Sequence, residues 1–300
     1  MADVLSKGAL FPEQLMTEVV NKVKGHSSLI KLSQQMPIAF NGNEVFTFSL
    51  DNEIDVVAEN GKKTHGGATV GSVKVQPIKV EYGARVSDEF LYASDEAKVN
   101  ILRPFMDGYA KKLARGLDLM ALHGVNPRTG EKSSVIGENY LDGKATQTIP
   151  YDAAKPDENI EAAVALVQGA GNEISGMALA PAFSASLAKL KVNGVQQFPE
   201  FRWGARPESV NGLMVDVNET VSASKSKDRA IIGDFANNFK WGFAKQVPME
   251  VIKYGDPDNS GKDLRGYNQV YIRCETYLGW AIMDGNAFAK VEESAGSESH

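Results

Sequence analysis

Apolar and polar residues alternate over an unusually long stretch in the first third of the chain. In residues 44–57, EVFTFSLDNEIDVV, apolar side chains fall on one face and polar ones on the other, which is the period of a half-buried strand. Residues 70–86 alternate as well, with a change of phase at Gln76-Pro77, where the missing N–H of proline predicts a bulge or an edge position. The stretch between them, AENGKKTHGGAT, is polar and rich in glycine. The pattern predicts a long β-hairpin over 44–86 whose tip stands roughly 40 Å from its base.

This hairpin has an apolar face that water disfavours, and its two strands carry opposite charges. An isolated two-stranded ribbon is marginal in water, so we expect a neighbour to cover the apolar face. Acidic residues lie on the outgoing strand and basic ones on the returning strand, which fits either pairing within the ribbon or complementarity to another subunit. The apolar positions are Phe46, Phe48, Leu50, Ile54 and Val56, the acidic ones Asp51, Glu53, Asp55 and Glu59, and the basic ones Lys62, Lys63, Lys74, Lys79 and Arg85.

A long helix is predicted after the hairpin. Its apolar residues recur every three or four positions and form one stripe: Leu102, Phe105, Tyr109, Leu113, Leu117 and Met120. Gly124 is a stop signal, and we interpret His123 before it as a helix cap and not as a catalytic group. Residues 155–245 alternate short helices with strands, an α/β pattern, and the segment after 267 predicts at least one more long strand.

Composition and charge narrow the class of protein. The chain has 300 residues, of which 43% are hydrophobic and 23% charged, and a formal net charge of -6. An acidic protein is not built to bind nucleic-acid phosphate as its main task. The single Cys274 excludes an internal disulfide. The sequence lacks both a long apolar run and a secretory signal, so we expect a soluble protein made in the cytosol, without a membrane partner.

Several patterns that resemble chemical sites are incomplete. The tip lacks the spacing of a nucleotide-binding loop, since Val56 stands where that loop needs glycine. Residues 256–261, DPDNSG, match a calcium loop at positions 1, 3, 5 and 6, but Tyr267 replaces the required glutamate, so we predict a polar turn. Hydrolase and His-Glu-x-x-His motifs are missing. We therefore expect no cofactor, no metal and no enzyme, and we interpret Trp203, Trp241 and Trp280 as packed anchors.

Five segments, in this order, resemble the major capsid proteins of tailed bacteriophages with the Hong Kong 97 fold. The resemblance covers residues 8–291 and rests on the order of the segments. They are ALFPEQLMTEVVNKVKGHSSLIKLSQQMPI, the hairpin with VVAENGKK, VSDEFL with the helix ending LDLMALHG, GDFANNFKWGF, and RCETYLGWAIMDGNAFAKV. It implies an α+β Hong Kong 97-like capsid fold with an N-terminal arm (1–43), a β-hairpin E-loop (44–86), a peripheral domain with a spine helix (87–154), an α/β axial domain (155–245), and a return to the peripheral domain with a C-terminal tail (246–300).

The resemblance implies a function in assembly. Copies would form hexamers and pentamers of an icosahedral head shell that encloses double-stranded DNA without sequence specificity, with scaffold, portal and cement proteins as further partners. The shell would be assembled in the host cytoplasm and become the virion capsid. The intersubunit contacts would come from Phe46, Phe48, Leu50, Ile54, Val56, Asp51, Glu53 and Asp55. Two alternatives stay open: an encapsulin-type nanocompartment enclosing cargo enzymes, and an independent enzyme.

Some members of that family join subunits by an isopeptide bond between an E-loop lysine and an asparagine, assisted by a glutamate seven residues later. Lys62 or Lys63, Asn268 and Glu275 match this pattern in type, order and region. An odd separation places Asn268 and Glu275 on opposite faces of an unbulged strand, which counts against a shared site within one strand. Crosslinking members also begin with a scaffolding segment. Here we expect that segment to have been removed, or a separate scaffold protein to replace it.

Overall fold

The computed structural model describes residues 26–50, 53–92 and 95–294, with the backbone alone at 48–50, 95–99 and 245–248. Most of the predicted N-terminal arm therefore lies outside the described residues. The helices are α1 Ser28–Leu32, α2 Glu89–Tyr92, α3 Asp95–His123, α4 Leu141–Lys144, α5 Pro156–Gly169, α6 Pro181–Lys189 and α7 Phe235–Asn238, with 3-10 turns at Pro199–Gly204, Glu219–Ser222, Arg265–Tyr267 and Gly285–Ala287. The strands are β1 Gln34–Gln35, β2 Asn43–Leu50, β3 Ala68–Val75, β4 Ile78–Ser87, β5 Gln147–Pro150, β6 Gly176–Leu179, β7 Lys191–Val192, β8 Val195–Gln196, β9 Ser209–Val210, β10 Leu213–Val217, β11 Asp228–Gly233, β12 Phe239–Ile252, β13 Gln269–Ile282 and β14 Phe288–Glu292.

The long helix α3 confirms the predicted apolar stripe. Leu102, Tyr109, Leu113, Leu117 and Met120 are buried, and Phe105 is partly buried against the same core. The helix ends at the predicted stop, where glycine adopts a positive φ of 67°. None of the helices in the described ranges combines the length and the apolar character that crossing a membrane requires.

A four-stranded sheet packs on α3, with strand order β1-β12-β13-β4. Alternate residues of β13, from Val270 to Leu278, are buried, as expected for a strand with one face on the core. On that face the Tyr109 hydroxyl donates to Thr276 Oγ1 at 2.7 Å, and Cys274 Sγ lies 3.7 Å from Met106 Sδ. Helix and sheet thus form the first core of the subunit.

A six-stranded sheet forms the second layer, with strand order β5-β14-β11-β6-β10-β9. Helices α5 and α6 cover it through Ala163, Val167, Phe183 and Leu187. The α/β pattern predicted for 155–245 is present, but the sheet also takes β5 and β14 from outside that range. The sequence pattern does not predict the pairing of β14 with β11, because more than 50 residues separate the two strands in the chain.

The predicted hairpin is shorter than its sequence pattern suggests. Strands β2 and β3 pair from Asn43↔Val75 to Leu50↔Ala68, and we call this two-stranded unit with its tip, residues 43–75, the ribbon. The prediction that the ribbon continues to Val86 is wrong, because β4 pairs with β13 in the four-stranded sheet. Pro77 separates β3 from β4, which fits its inability to donate to a strand ladder. The eight paired residues of each strand span about 26 Å, while the distance of roughly 40 Å from base to tip stays a prediction.

Candidate intersubunit surface

The ribbon exposes one face and has the base of its other face covered by its own subunit. Val45 and Val73, which lie opposite each other, pack against a small core of Ile38, Val75 and Ala281. Phe46 belongs to the other face and is 59% exposed, and Val70, on the same face, is 56% exposed. Because two neighbouring strands expose large apolar side chains there, this face is a candidate interaction surface.

The tip of the ribbon is exposed and has no strand pairing between residues 53 and 67. Ile54 is 97% exposed and Val56 is 95% exposed, as expected for residues that find no cover within the subunit. Glu53 is also exposed, and Asp55 Oδ2 accepts a hydrogen bond from the Thr64 hydroxyl at 2.8 Å. Of the other predicted contact residues, Asp51 lies outside the described residues, and the structure gives only the backbone of Phe48 and Leu50.

The predicted charge separation along the ribbon is only partly present. Glu44 lies opposite Lys74, which is the cross-strand arrangement. Lys79 and Arg85 were predicted to share the returning strand of the ribbon, but they belong to β4. Lys79 Nζ lies 2.8 Å from Glu275 Oε1, and this carboxylate raises the pKa of Lys79. The basic residues of β4 therefore have partners in their own subunit.

The candidate crosslinking residues do not meet within one subunit. Lys62 and Lys63 are exposed at the tip of the ribbon. Asn268 is exposed in a left-handed conformation (φ 53°) directly before β13, and its carbonyl accepts from the backbone N–H of Asp88. Glu275 lies in the middle of β13, roughly 20 Å along the strand from Asn268. A reaction between these groups requires at least two subunits.

The loop at residues 256–262 is more organised than the predicted polar turn. Arg85 Nη2 lies 2.6 Å from Asp256 Oδ1, 2.5 Å from Asp258 Oδ1, 2.6 Å from Ser260 Oγ and 2.8 Å from the Lys262 carbonyl oxygen. These are positions 1, 3, 5 and 7 of the calcium-loop pattern, and a guanidinium stands at their centre. The hydrogen bond from Arg85 holds the pKa of Asp258 well below its usual range. The sequence predicted the spacing of the oxygen atoms. It did not predict that Arg85, 171 residues before Asp256, is the cation that they surround.

The prediction for the tryptophans is correct for two of them. Trp241 and Trp280 are buried among the largest side chains of the first core. Trp203 is 93% exposed and has a positive φ of 55°, so it is not a packed anchor. The Arg202 Cζ atom lies 4.8 Å from the centroid of the Trp203 ring, which is a cation–π contact.

An α+β body whose exposed ribbon carries apolar side chains has the features of a protein that associates with other protein molecules. The sequence profile of the Phage capsid family matches residues 7–292. The chain belongs to this family. It is a major capsid protein, a structural component of the bacteriophage virion that self-assembles into an icosahedral capsid shell. The predicted α+β capsid fold is confirmed, while its Hong Kong 97 subdivision into arm, E-loop, peripheral and axial domains stays a prediction.

Solved structures agree with the family. One from Mycobacterium phage Ogopogo is 29% identical with a TM-score of 0.76, and the match covers 90% of this chain and 92% of that one. One from Gordonia phage Cozz is 25% identical with a TM-score of 0.75, covering 90% and 87%. A structure described as "Capsid of empty GTA particle computed with C5 symmetry" shares the fold at 13% identity and a TM-score of 0.61, covering 90% of both chains. No curated protein sequence matches the chain significantly.

Proposed function

We propose that the subunits form hexamers and pentamers, and that the ribbon of each subunit lies over the body of its neighbour. The observation that carries this proposal is the exposure of Phe46, Val70, Ile54 and Val56 in the single subunit. Covering a side chain of this size contributes about 1.5–3 kcal/mol, so a ribbon that buries several of them provides much of an interface. The contact repeats head to tail, and a repeat that closes on itself gives rings and shells.

The net charge of the chain supports the contents that we propose for the shell. The net charge of -6 suits a wall that encloses double-stranded DNA without holding it tightly, because tight binding needs clustered Lys and Arg. We propose separate scaffold, portal and cement proteins as partners and the host cytoplasm as the place of assembly. DNA inside particles purified from infected cells would support this function. DNA-free cages with a co-purified enzyme would indicate a nanocompartment shell instead.

Substitution of Phe46 tests the ribbon contact. Phe46→Asp places a charge in the proposed interface, so we expect sedimentation and electron microscopy to show free subunits in place of shells. Val135→Asp is the matched control, since Val135 is 73% exposed and lies outside the ribbon. It should assemble like the wild type. Shells of normal yield from Phe46→Asp would show that this face of the ribbon does not hold the subunits together.

We extend the proposal to a covalent bond between subunits. A neutral amine of Lys62 or Lys63 attacks Asn268 Cγ in another subunit, the bond from Cγ to Nδ2 breaks, and ammonia leaves as the amide forms. Glu275 takes a proton from the attacking amine and passes it to the departing nitrogen. Because Glu275 and Asn268 lie roughly 20 Å apart within one subunit, the Glu275 that acts belongs to a different subunit from that Asn268. The exposure of the tip lysines and of Asn268 supports this step, because each can be reached by a second subunit. Glu275 must exchange its contact with Lys79 to take part. Beyond this self-modification, we propose no enzymatic activity.

A further inference from the structure

Three ionisable side chains cluster where the long helix α3 meets the six-stranded sheet. His123 is the last residue of α3, Asp142 lies in α4, and Asp228 begins β11. One ligand atom from each residue lies within 4.8 Å of those of the other two. The side chains of His123 and Asp228 are 3% and 2% exposed, and that of Asp142 is 22% exposed. The cluster is therefore nearly closed, with its access to solvent at Asp142.

The hydrogen bonds of His123 leave one ring nitrogen for a ligand. Nε2 lies 2.7 Å from the carbonyl oxygen of Thr220, which only accepts, so Nε2 carries a hydrogen. Nδ1 lies 2.7 Å from Asp142 Oδ2, and a carboxylate also only accepts. That contact requires either a proton between the two atoms, on Nδ1 or on Oδ2, or a cation shared by both atoms. Metal-bound histidines commonly donate their second N–H to a backbone carbonyl in this way.

One oxygen atom of each carboxylate lacks a hydrogen-bond donor. Asp142 Oδ1 and Asp228 Oδ2 are buried and have no hydrogen-bond partner among the described residues. Asp228 Oδ2 points into the cluster, 3.9 Å from His123 Nδ1.

The nearby lysines already have partners. Lys290 Nζ lies 2.7 Å from Glu292 Oε1 and donates to the carbonyl oxygen of Asp142 at 3.4 Å. Lys132 Nζ donates to the carbonyl oxygen of His123 at 2.8 Å. With a neutral imidazole, the two carboxylates leave two negative charges in the cluster. One divalent cation, or two protons, would balance them.

We propose that His123 Nδ1, Asp142 and Asp228 bind one divalent cation of the Zn²⁺ type, which fastens the end of α3 to the six-stranded sheet. Imidazole nitrogen and carboxylate oxygen are both zinc ligands at about 2.0–2.2 Å, and three protein ligands leave a fourth position for water. Ligands at these distances stand about 3.4 Å apart in a tetrahedron, so small side-chain shifts within the cluster produce the site. The partly exposed side of Asp142 gives water its access.

Metal analysis of the full-length protein, purified without chelators, tests the site. We expect about one zinc per subunit, and after exchange with Co²⁺ the visible d–d absorption of a tetrahedral site. Asp228→Asn keeps the shape of a protonated carboxyl group and removes the ligand charge. It should weaken zinc binding by at least about tenfold and remove the cobalt spectrum. Asp157→Asn, on helix α5, is the matched control and should retain both signals.

Two results would overturn the proposal. One is wild-type protein that neither retains zinc nor gives the cobalt spectrum, which would assign two protons to the cluster. The other is Asp228→Asn protein that binds zinc as tightly as the wild type. The wild-type measurement decides the question even where the variant fails to fold.

Discussion

At the scale of single residues, Asp118 is a buried charge that organises the start of the described chain. Its carboxylate accepts hydrogen bonds from the Ser27 hydroxyl, from Ser28 N at 3.0 Å, from Leu29 N at 3.3 Å, and from Thr220 Oγ1 at 2.7 Å. Asp118 thereby joins helix α1 and the turn Glu219–Ser222 to helix α3. Burial raises the pKa of Asp118 from 3.8 to about 6, even though these hydrogen bonds oppose the shift.

This pKa predicts how stability depends on pH. The pKa of Asp118 is higher in the folded state than in the unfolded state, so the folded protein binds more protons between pH 3.8 and about 6. The free energy of unfolding is therefore higher below this pH range and falls as the pH rises through it. The shift corresponds to about 3 kcal/mol. Asp118→Asn does not titrate, so urea unfolding of the unassembled subunit should show the wild type losing about 3 kcal/mol relative to the variant as the pH rises from about 3.5 to 7. A constant difference across this range would contradict the assignment.

At the scale of elements, the end of α3 depends on one glycine. Gly124 has a φ of 67°, and a Cβ there would lie 2.6 Å from Tyr140 Cδ1. Gly124→Ala should therefore lower the free energy of unfolding by about 1–3 kcal/mol. Gly108 lies within the same helix and has open space around its Cα, so Gly108→Ala should raise the free energy by about 0.5–1 kcal/mol. Chemical unfolding of the two variants checks both signs, and equal effects would show that the conformation at Gly124 imposes no constraint.

The elements also show which predictions a sequence supports. The stripe from Leu102 to Met120 and the stop at Gly124 were predicted correctly because both depend on neighbours three or four residues away. Alternation predicted that residues 78–86 form a strand, but it carries no information about the partner strand. We therefore predicted that residues 78–86 belong to the ribbon, whereas in the structure they pair with β13.

The same limit applies to the candidate sites. Histidine at a helix end predicted a cap, whereas the contacts of His123 with Asp142 and Thr220 depend on how the chain folds back over 19 and 97 residues. The exposed apolar residues of the ribbon were predicted from their pattern. We propose that another subunit covers them, and the sequence of a single chain does not identify the residues of that subunit.

At the scale of the whole molecule, the proposed covalent bond has a direct readout. Boiled shells on denaturing gels should show a ladder of linked subunits, which is lost with Asn268→Ala and with the double variant Lys62→Ala/Lys63→Ala. Lys74→Ala is the control, since this lysine lies opposite Glu44 within the ribbon, and it should keep the ladder. A single band at 32.4 kDa from mature wild-type shells would rule out crosslinking.

The strand order of the six-stranded sheet has a consequence for biosynthesis. β14 comes after all other strands of that sheet in the chain, yet it lies between β5 and β11. During translation, β5 therefore has no neighbour to pair with until residues 288–292 have left the ribosome. The six-stranded sheet of a nascent subunit is therefore incomplete until nearly all of the described residues have been made. Only after that point can a fully folded subunit join the growing shell.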